Sequence, residues 1–455
     1  MSINPKELGM NVSKVKDMIA SSRSKQATDT YELTVVTPMF GGGIEPGQVN
    51  EVHPVRASSI RGHLRFWWRA TRGAACESAS ELRVREAAIF GDTRKPSSVK
   101  LWVETVPHSA IPKHANHSQK MKNGKIKYLL DLSLRKYEYA LFPFHNIETS
   151  VQYMPKYKFQ LHIRYDAKDP SELEQLQLEV KAALWAWVNF GGIGARTRRG
   201  CGSLYSPCFS PDSGIRSIED LQNWFAHSLR EYQLTLPATV REWPTLSDQI
   251  KINPGKKILD QAWEDVIRCY KEFRRKPNDP KKRSHWPEAV SIRRITGMAE
   301  PLHKASNTLS EKGHEVAFPR AQLGLPIIFK FKDNEQKQGP RPYEREPFPT
   351  QLVPEHGERL ASPLLLKAIA VSEKEGFSAV IVLNQPKITG LKLKKAKSNQ
   401  ALIRSIPQHE IYVSPNYDDP SKNPMKNASN QKTVFTTEAF LGSEEVRKWE
   451  LLKQP

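Results

Sequence analysis

The stretch Gly191-Gly192-Ile193-Gly194-Ala195-Arg196-Thr197-Arg198-Arg199-Gly200-Cys201-Gly202 packs five glycines and three arginines into twelve residues and contains no acid. Glycine lets a backbone turn sharply and approach another group closely. Arginine presents a fork of donors that matches phosphate. By composition alone the stretch is either a loop that grips a phosphodiester backbone or a basic surface loop. Its flanks favour the first reading. Upstream, Leu176, Val180, Leu184, Trp187 and Val188 recur at spacings of three or four, which predicts a helix with one buried face. Downstream, Ser203-Leu204-Tyr205 begins a strand-like run. Helix, glycine-arginine turn and strand make a rigid frame. The stretch has no lysine-serine ending and no strand leading into it, which argues against a nucleotide-binding P-loop.

A second arginine array lies at 52–76, with Arg56, Arg61, Arg65, Arg69 and Arg72 and no acid. Ser58 or Ser59 can cap a helix that starts there. At about 100° per residue, Arg61, Arg65, Arg69 and Arg72 share one stripe, while Ile60, Leu64 and Trp67 face a core. Like charges at this spacing cost ~0.2–0.5 kcal/mol per pair. The segment has no acid and nothing acidic nearby is expected to offset that cost, so the array reads as an anion-binding face, the alternative being a solvated helix surface. Trp68 borders the stripe and fits either base stacking or the edge of the core.

The whole chain agrees with a polyanionic partner. It has 455 residues, 69 lysines and arginines against 49 acids, and a formal net charge of +20. Its 38% hydrophobic content with ten tryptophans is enough for real cores. No apolar run approaches membrane-spanning length, and Met1 to Ser22 lacks the apolar core of a signal peptide. The four cysteines (Cys76, Cys201, Cys208, Cys269) are unpaired in spacing. These features suit a cytoplasmic protein without a zinc site, a cofactor or a Cys201–Cys208 bridge.

Three segments together resemble the RAMP superfamily of CRISPR RNA-binding proteins. They are Thr37-Pro38-Met39-Phe40-Gly41-Gly42-Gly43, the run from Val55 through Arg61-Gly62-His63-Leu64-Arg65-Phe66-Trp67-Trp68-Arg69, and the glycine-arginine loop. The tryptophan-arginine run is similar to the first subunit of the type III-B (Cmr) effector complex. Phe318 to Ile327 and Arg359 to Lys367 fit more weakly. The resemblance implies an α+β chain of tandem ferredoxin-like (RRM-type) domains with inserted loops and helices. It also implies a non-catalytic subunit that holds the 3′ part of a guide RNA (crRNA) and the adjacent target RNA, beside other Cmr subunits, in antiviral defence.

Along the chain, residues 1–28 read as an N-terminal helix and tether. A first domain spans 29–210, with strands at 30–40, 99–105, 157–165 and 202–207 and helices at 58–73 and 173–190. It carries an insertion at 107–152 that is either a basic finger or a surface loop. His108, His114 and His117 lie there without a completing acid or cysteine, so no metal site is expected. Residues 211–284 read as a helical connecting segment, and 271–294 as a basic loop punctuated by proline. A second domain at 285–455 has strand candidates at 325–332, 361–370 and 377–384, a loop at 333–359, an acid-free basic segment at 385–409, a polar stretch at 414–432 and a last helix at 436–452.

The residues expected at RNA are Arg56, Ser58, Arg61, Arg65, Arg69, Gly192, Gly194, Arg196, Arg198 and Arg199. Two other classes remain open. One is a metal-independent RNA endonuclease that processes guide RNA. It needs a general base, and His53, in an open extended segment, is a better candidate than His63, which lies off the arginine stripe. The other is a purely structural assembly subunit. Asp92, after Phe90-Gly91, reads as a turn residue rather than a metal ligand.

Overall fold

The computed structural model describes residues 25–106, 111–120, 126–144, 147–237, 239–275, 285–300, 316–331, 345–396, 400–417, 419–426, 429 and 431–454. It is a mixed helix-and-sheet protein built from several small antiparallel sheets.

The first sheet follows the strand–helix–strand–strand–helix–strand order. Its strands are β1 (Lys25–Val35), β2 (Val99–Thr105), β3 (Tyr157–Ala167) and β4 (Leu204–Tyr205), arranged β2-β3-β1-β4. The alternation along β3 fixes its faces. Tyr157, Phe159, Leu161, Ile163 and Tyr165 are buried, while Lys158, Gln160, His162 and Arg164 point the other way, half-buried. Two helices, α1 (Ala57–Ala70) and α3 (Pro170–Phe190), share the core with the buried face. Asp169 caps α3 by accepting from the Glu172 amide at 2.9 Å, and Pro170 occupies its first turn. A further helix, α2 (Ala79–Phe90), which the sequence does not announce, lies beside α1. Asp92 accepts from the Arg94 and Lys95 amides at 2.8 Å each, so it is the turn residue expected of it.

After α4 (Ile218–Glu231), the chain enters a second sheet at β5 (Thr245–Ile252), followed by α5 (Leu259–Arg275). Strands β8 (Leu364–Ala370), β9 (Glu375–Asn384) and β12 (Glu450–Leu451), with the two-residue strand Lys257–Ile258 paired to β9, complete a five-stranded sheet in which β9 pairs with β8 and β5, and β5 with β12. The turn Thr197–Arg199 from the first unit packs against β8. A third sheet is β6-β7-β10-β11, from Ile327–Phe329, Thr350–Pro354, Gly390–Lys395 and Leu402–Pro407. It has its own small core, which includes Ile292, Phe318, Leu352, Leu391 and Leu393.

Several sequence readings are corrected here. β5 falls inside the segment read as helical. Its Ser247-Asp248-Gln249 centre breaks alternation because the ladder carries a bulge between Leu246 and Ile250. Strand β7 falls in the expected loop 333–359, and the basic segment 385–409 forms β10 and β11. The expected last helix ends at Leu441, as α7 (Thr436–Leu441), and the chain closes with β12. Part of the expected basic loop is helix α6 (Glu288–Thr296). The insertion at 107–152 contributes the hairpin Asn116–Lys120 with Ile126–Leu130. Residues 1–24 of the expected tether, His108, Lys122 and Lys125 lie outside the described residues, and Lys25 already belongs to β1.

Candidate nucleic-acid interface

The α1 arginines meet carboxylates from other helices. Glu86 of α2, buried, accepts from Arg65 Nε at 2.6 Å and from Arg69 Nη1 at 2.7 Å. Glu179 of α3, also buried, pairs with Arg72 Nη2 at 2.8 Å and accepts from Trp68 Nε1 at 2.6 Å. Burial opposes ionisation of Glu179, but the hydrogen bond and charge of Arg72, helped by Trp68 and Gln175, hold its carboxyl below the usual range. Arg61 Nη2 donates to the Phe90 carbonyl at the end of α2, where a helix dipole favours a cation. The expectation that nothing acidic offsets the like charges is therefore wrong. It failed because the acids lie on α2 and α3, outside the segment. Trp68 is fully buried and belongs to the core, not to a stacking surface.

The start of α1 is different. The helix begins at Ala57 with Arg56 at its N-cap, and neither Ser58 nor Ser59 caps it. No acid occupies its first turn. Arg56 and Ser58 are exposed. The Ser59 amide donates to Arg56 O at 3.0 Å, while the first backbone N–H groups of a helix otherwise lack intrahelical partners, so this end is electropositive.

The glycine-arginine loop is tightly sewn. The Ile193 amide donates to the Gly202 carbonyl at 2.9 Å, the Ala195 amide to Phe40 at 2.8 Å, and the Gly202 amide to Pro38 at 3.0 Å. Gly202 has φ +62, and a Cβ there would stand 1.9 Å from the Ile193 carbonyl oxygen. At Gly194, φ +85, it would stand 2.4 Å from the Phe40 oxygen. These glycines are required by backbone packing inside the protein. Gly192 is buried, and its carbonyl accepts from Trp187 Nε1 at 2.9 Å, so it is not presented to a ligand as expected. Gly194 is exposed.

The three loop arginines are half-buried and donate to neutral oxygens. Arg196 Nε donates to the Ala140 carbonyl and Arg198 Nη1 to the Ser362 carbonyl. Arg199 donates to the Leu364 carbonyl at 3.1 Å and the Tyr270 hydroxyl at 3.2 Å, and its guanidinium lies 4.7 Å from the Tyr270 ring centroid. Among the described residues no carboxylate forms an ion pair with any of the three. Burial lowers the pKa of Arg196 and pushes that of Arg198 down to about 10. The structure thus gathers three partly desolvated cations without a counter-charge, which favours an anion from outside.

Loop and array are joined through Phe66 of α1, whose ring centroid lies 5.9 Å from the Arg198 guanidinium. Lys367 was missed by site reasoning. It stands alone in the apolar strand Leu364-Leu365-Leu366-Lys367-Ala368-Ile369-Ala370, and that isolation was the available signal. Its buried Nζ donates to Val188 O at 3.1 Å and Gly191 O at 2.5 Å, at the end of α3. Among the histidines, His63 stacks on Trp187 at 5.9 Å and burial lowers its pKa. His53 is exposed, and its backbone amide donates to Asn50 at 2.8 Å. Among the described residues no group of histidine, cysteine and acid side chains is placed to hold a metal, and no helix is long and apolar enough to cross a membrane. All four cysteines are free thiols.

The chain is similar to known proteins over part of its length. The RAMP superfamily model matches residues 32–205, from β1 to the end of β4. The CRISPR system Cmr subunit Cmr1-1 of Pyrococcus furiosus is 31% identical over 180 residues, which are 39% of this chain and 44% of that protein. The Cmr1-2 subunit of the same organism is 27% identical over 186 residues, 38% of this chain and 92% of that protein. The apo crystal structure of Cmr1 from Pyrococcus furiosus superposes with a TM-score of 0.42 at 20% identity, covering 83% of this chain and 94% of that one. The match to Cmr1-1 thus spans less than half of that relative's length. Residues 32–205 match the RAMP superfamily model, and the chain is homologous to the Cmr1 subunits of Pyrococcus furiosus.

Proposed function

We propose that this chain is a non-catalytic RNA-binding subunit of a type III-B CRISPR (Cmr) effector complex. It holds the 3′ part of the guide RNA and the adjacent target RNA through Arg56, Ser58 and the loop Gly194–Arg199. The observation that carries the reading is the cluster Arg196, Arg198 and Arg199, which has no carboxylate partner among the described residues. A single strand of phosphates supplies the missing charge. Homology of residues 32–205 to Cmr subunits supports the complex as the setting. Arg61, Arg65 and Arg69 act in this reading by supporting α1, since their donors serve Phe90 and Glu86. The same order of elements in both larger sheets supports two ferredoxin-like units in tandem. In the first, the second, third, first and fourth strands lie side by side, and in the second β8, β9, β5 and β12 repeat that succession with the short strand Lys257–Ile258 added on β9.

The test is equilibrium binding of the full chain to a single-stranded guide-like RNA across a salt series, with product gels for cleavage. Arg198 and Arg199 also hold β8, so charge is removed by glutamine rather than alanine, and each variant is checked by thermal melting. Salt-steep binding that weakens in folded Arg196→Gln and Arg198→Gln variants, with intact RNA, is the expected result. Metal-free cleavage lost in His53→Ala would replace this reading with the nuclease. Weak binding, equal in all variants, would leave an assembly role.

A further inference from the structure

Beside the glycine-arginine loop lies a cavity of about 340 Å³ that the RNA-holding role does not by itself require. Arg198 stands on one side. Pro244, Pro354, Pro386 and Leu360 give it flat apolar walls, and Gln385 and Glu355 bring polar edges to the same space. A second cavity of about 500 Å³ shares the segment Gln385–Ile388 as a wall. Lys387 lines both, with its ammonium 5.7 Å from the Tyr412 ring centroid and 5.3 Å from that of Phe435. Rings hold that cation in place from one side.

The chemistry is that of a nucleotide. Apolar walls with a few convergent polar groups are the usual make-up of a ligand pocket, and about 300 Å³ is the lower end of the usual size. Single-stranded RNA is read where a base is splayed out of the strand, packed on a flat face and met on its edges by hydrogen bonds. Here the flat faces are proline and leucine, the edge groups are Gln385 and Glu355, and a cation waits at the phosphate end. Arg198 gives Nη1 to the Ser362 carbonyl, and no other protein acceptor among the described residues takes its remaining donors. Glu355 is already engaged, accepting from Thr389 Oγ1 at 3.4 Å. The two cations therefore outweigh the one acid on this wall.

The geometry points to this cavity as the seat of one unstacked nucleotide of the bound RNA, its phosphate on Arg198 and its base between the prolines and Gln385. The inference rests on the RNA-binding reading and adds to it a position at which the protein senses a base rather than the backbone.

The experiment uses the full chain and a set of single-stranded guide-like RNAs, each with one abasic site, the site moving along the strand. The cavity is blocked with Ala361→Trp, since Ala361 is exposed and lines it. The expected profile has one position where the abasic site weakens binding about tenfold and neighbours where it changes less than twofold. In Ala361→Trp, intact RNA weakens by the same factor and the abasic penalty at that position disappears. If Ala361→Trp does not fold, Gln385→Ala is expected to flatten the profile in its place. A flat profile in the wild type, or an unchanged profile in folded variants, overturns the seat while leaving RNA binding intact. Absence of any RNA binding by the wild type overturns the RNA reading and the seat with it. Binding of a poly-aspartate peptide that is lost in Ala361→Trp, with RNA unaffected, assigns the cavity to acidic peptide and overturns the proposal.

Discussion

The Lys367 ammonium, carried on a strand of the second sheet, caps the last turn of α3 through the Gly191 carbonyl at 2.5 Å, at the first residue of the loop that gathers three arginines. A cation at a helix C-terminus is favoured by the dipole, and the orphan carbonyls Val188 O and Gly191 O gain donors. One side chain thereby ties the origin of the loop to the neighbouring sheet.

That lysine should give the protein a pH signature. Burial pushes its pKa down to about 7, against an unfolded value of about 10.4. Between these values the unfolded chain binds the extra proton, so stability rises with pH, by up to about 1.4 kcal/mol per unit. The contribution is complete above the unfolded pKa and is lost as pH falls through about 7. Thermal melts of wild type and Lys367→Met from pH 6.5 to 9 should show the wild type gaining on the variant as pH rises. Parallel curves would mean the group does not titrate there.

The α1 arginines should act on stability rather than on RNA. Glu86 is buried and serves both Arg65 and Arg69, so Glu86→Gln leaves two half-buried cations without a counter-charge and should cost about 1–3 kcal/mol. Arg65→Ala and Arg69→Ala should lower Tm by a few degrees and change RNA affinity less than about twofold, as partners of an internal carboxylate should. A large affinity loss at unchanged Tm in either variant would return these arginines to the interface.

How far the sequence carries the fold depends on where its signals sit. The first sheet is legible because each element states its own period, as β3 does by strict alternation and α3 by its apolar stripe. The pairing of the arginine stripe is not. Glu86 lies 21 and 17 residues from Arg65 and Arg69, on a helix whose apolar residues are scattered. Only the packing of α2 on α1 makes them neighbours. The glycines mislead for a related reason. Gly194 and Gly202 are as necessary to an internal backbone crossing as to a phosphate grip, and the partner carbonyls, Phe40 and Ile193, become visible only in three dimensions. In the second half, β5 and β7 are hidden by polar residues at a bulge and by a proline-rich neighbourhood.

Gly202→Ala should be among the most damaging single changes. Its φ of +62 disfavours any Cβ, and the Cβ would stand 1.9 Å from the Ile193 carbonyl oxygen. Relief requires breaking the bond from the Ile193 amide to Gly202 O. Strain at such a site costs of order 1–3 kcal/mol before any lost contacts. We expect a Tm drop above about 5 °C and faster proteolysis near the loop. A variant as stable as wild type would show that the loop is free to rearrange.

Acid should loosen one seam between the two larger sheets. Glu373 accepts from Lys156 at 2.9 Å, Lys158 at 2.5 Å and Thr34 at 3.2 Å, all on the first sheet or next to it. Burial opposes its charge, but these lysines win and hold its pKa at about 2. A depressed carboxyl pKa contributes stability above the unfolded value of about 4.3, and the contribution is lost as pH falls toward about 2. The wild type should therefore lose stability faster than Glu373→Gln between pH 4.5 and pH 2.5, as read by urea midpoints. Coincident acid limbs would remove Glu373 from the seam.

Arg56 gives the cleanest reading of phosphate contact, because it is exposed and stands at an uncapped helix start. Its side chain makes no hydrogen bond among the described residues, so Arg56→Ala should melt within about 1 °C of wild type, as surface changes do. Each phosphate contact on a single strand contributes about 0.7 to the slope of log K against log salt. The variant should lower that slope by about this amount and weaken binding about threefold near physiological salt. Arg198→Gln should reduce the slope as well, but with a measurable fall in Tm, since its Nη1 also holds Ser362 O. An unchanged slope in Arg56→Ala would place the RNA path along the loop alone, away from the start of α1.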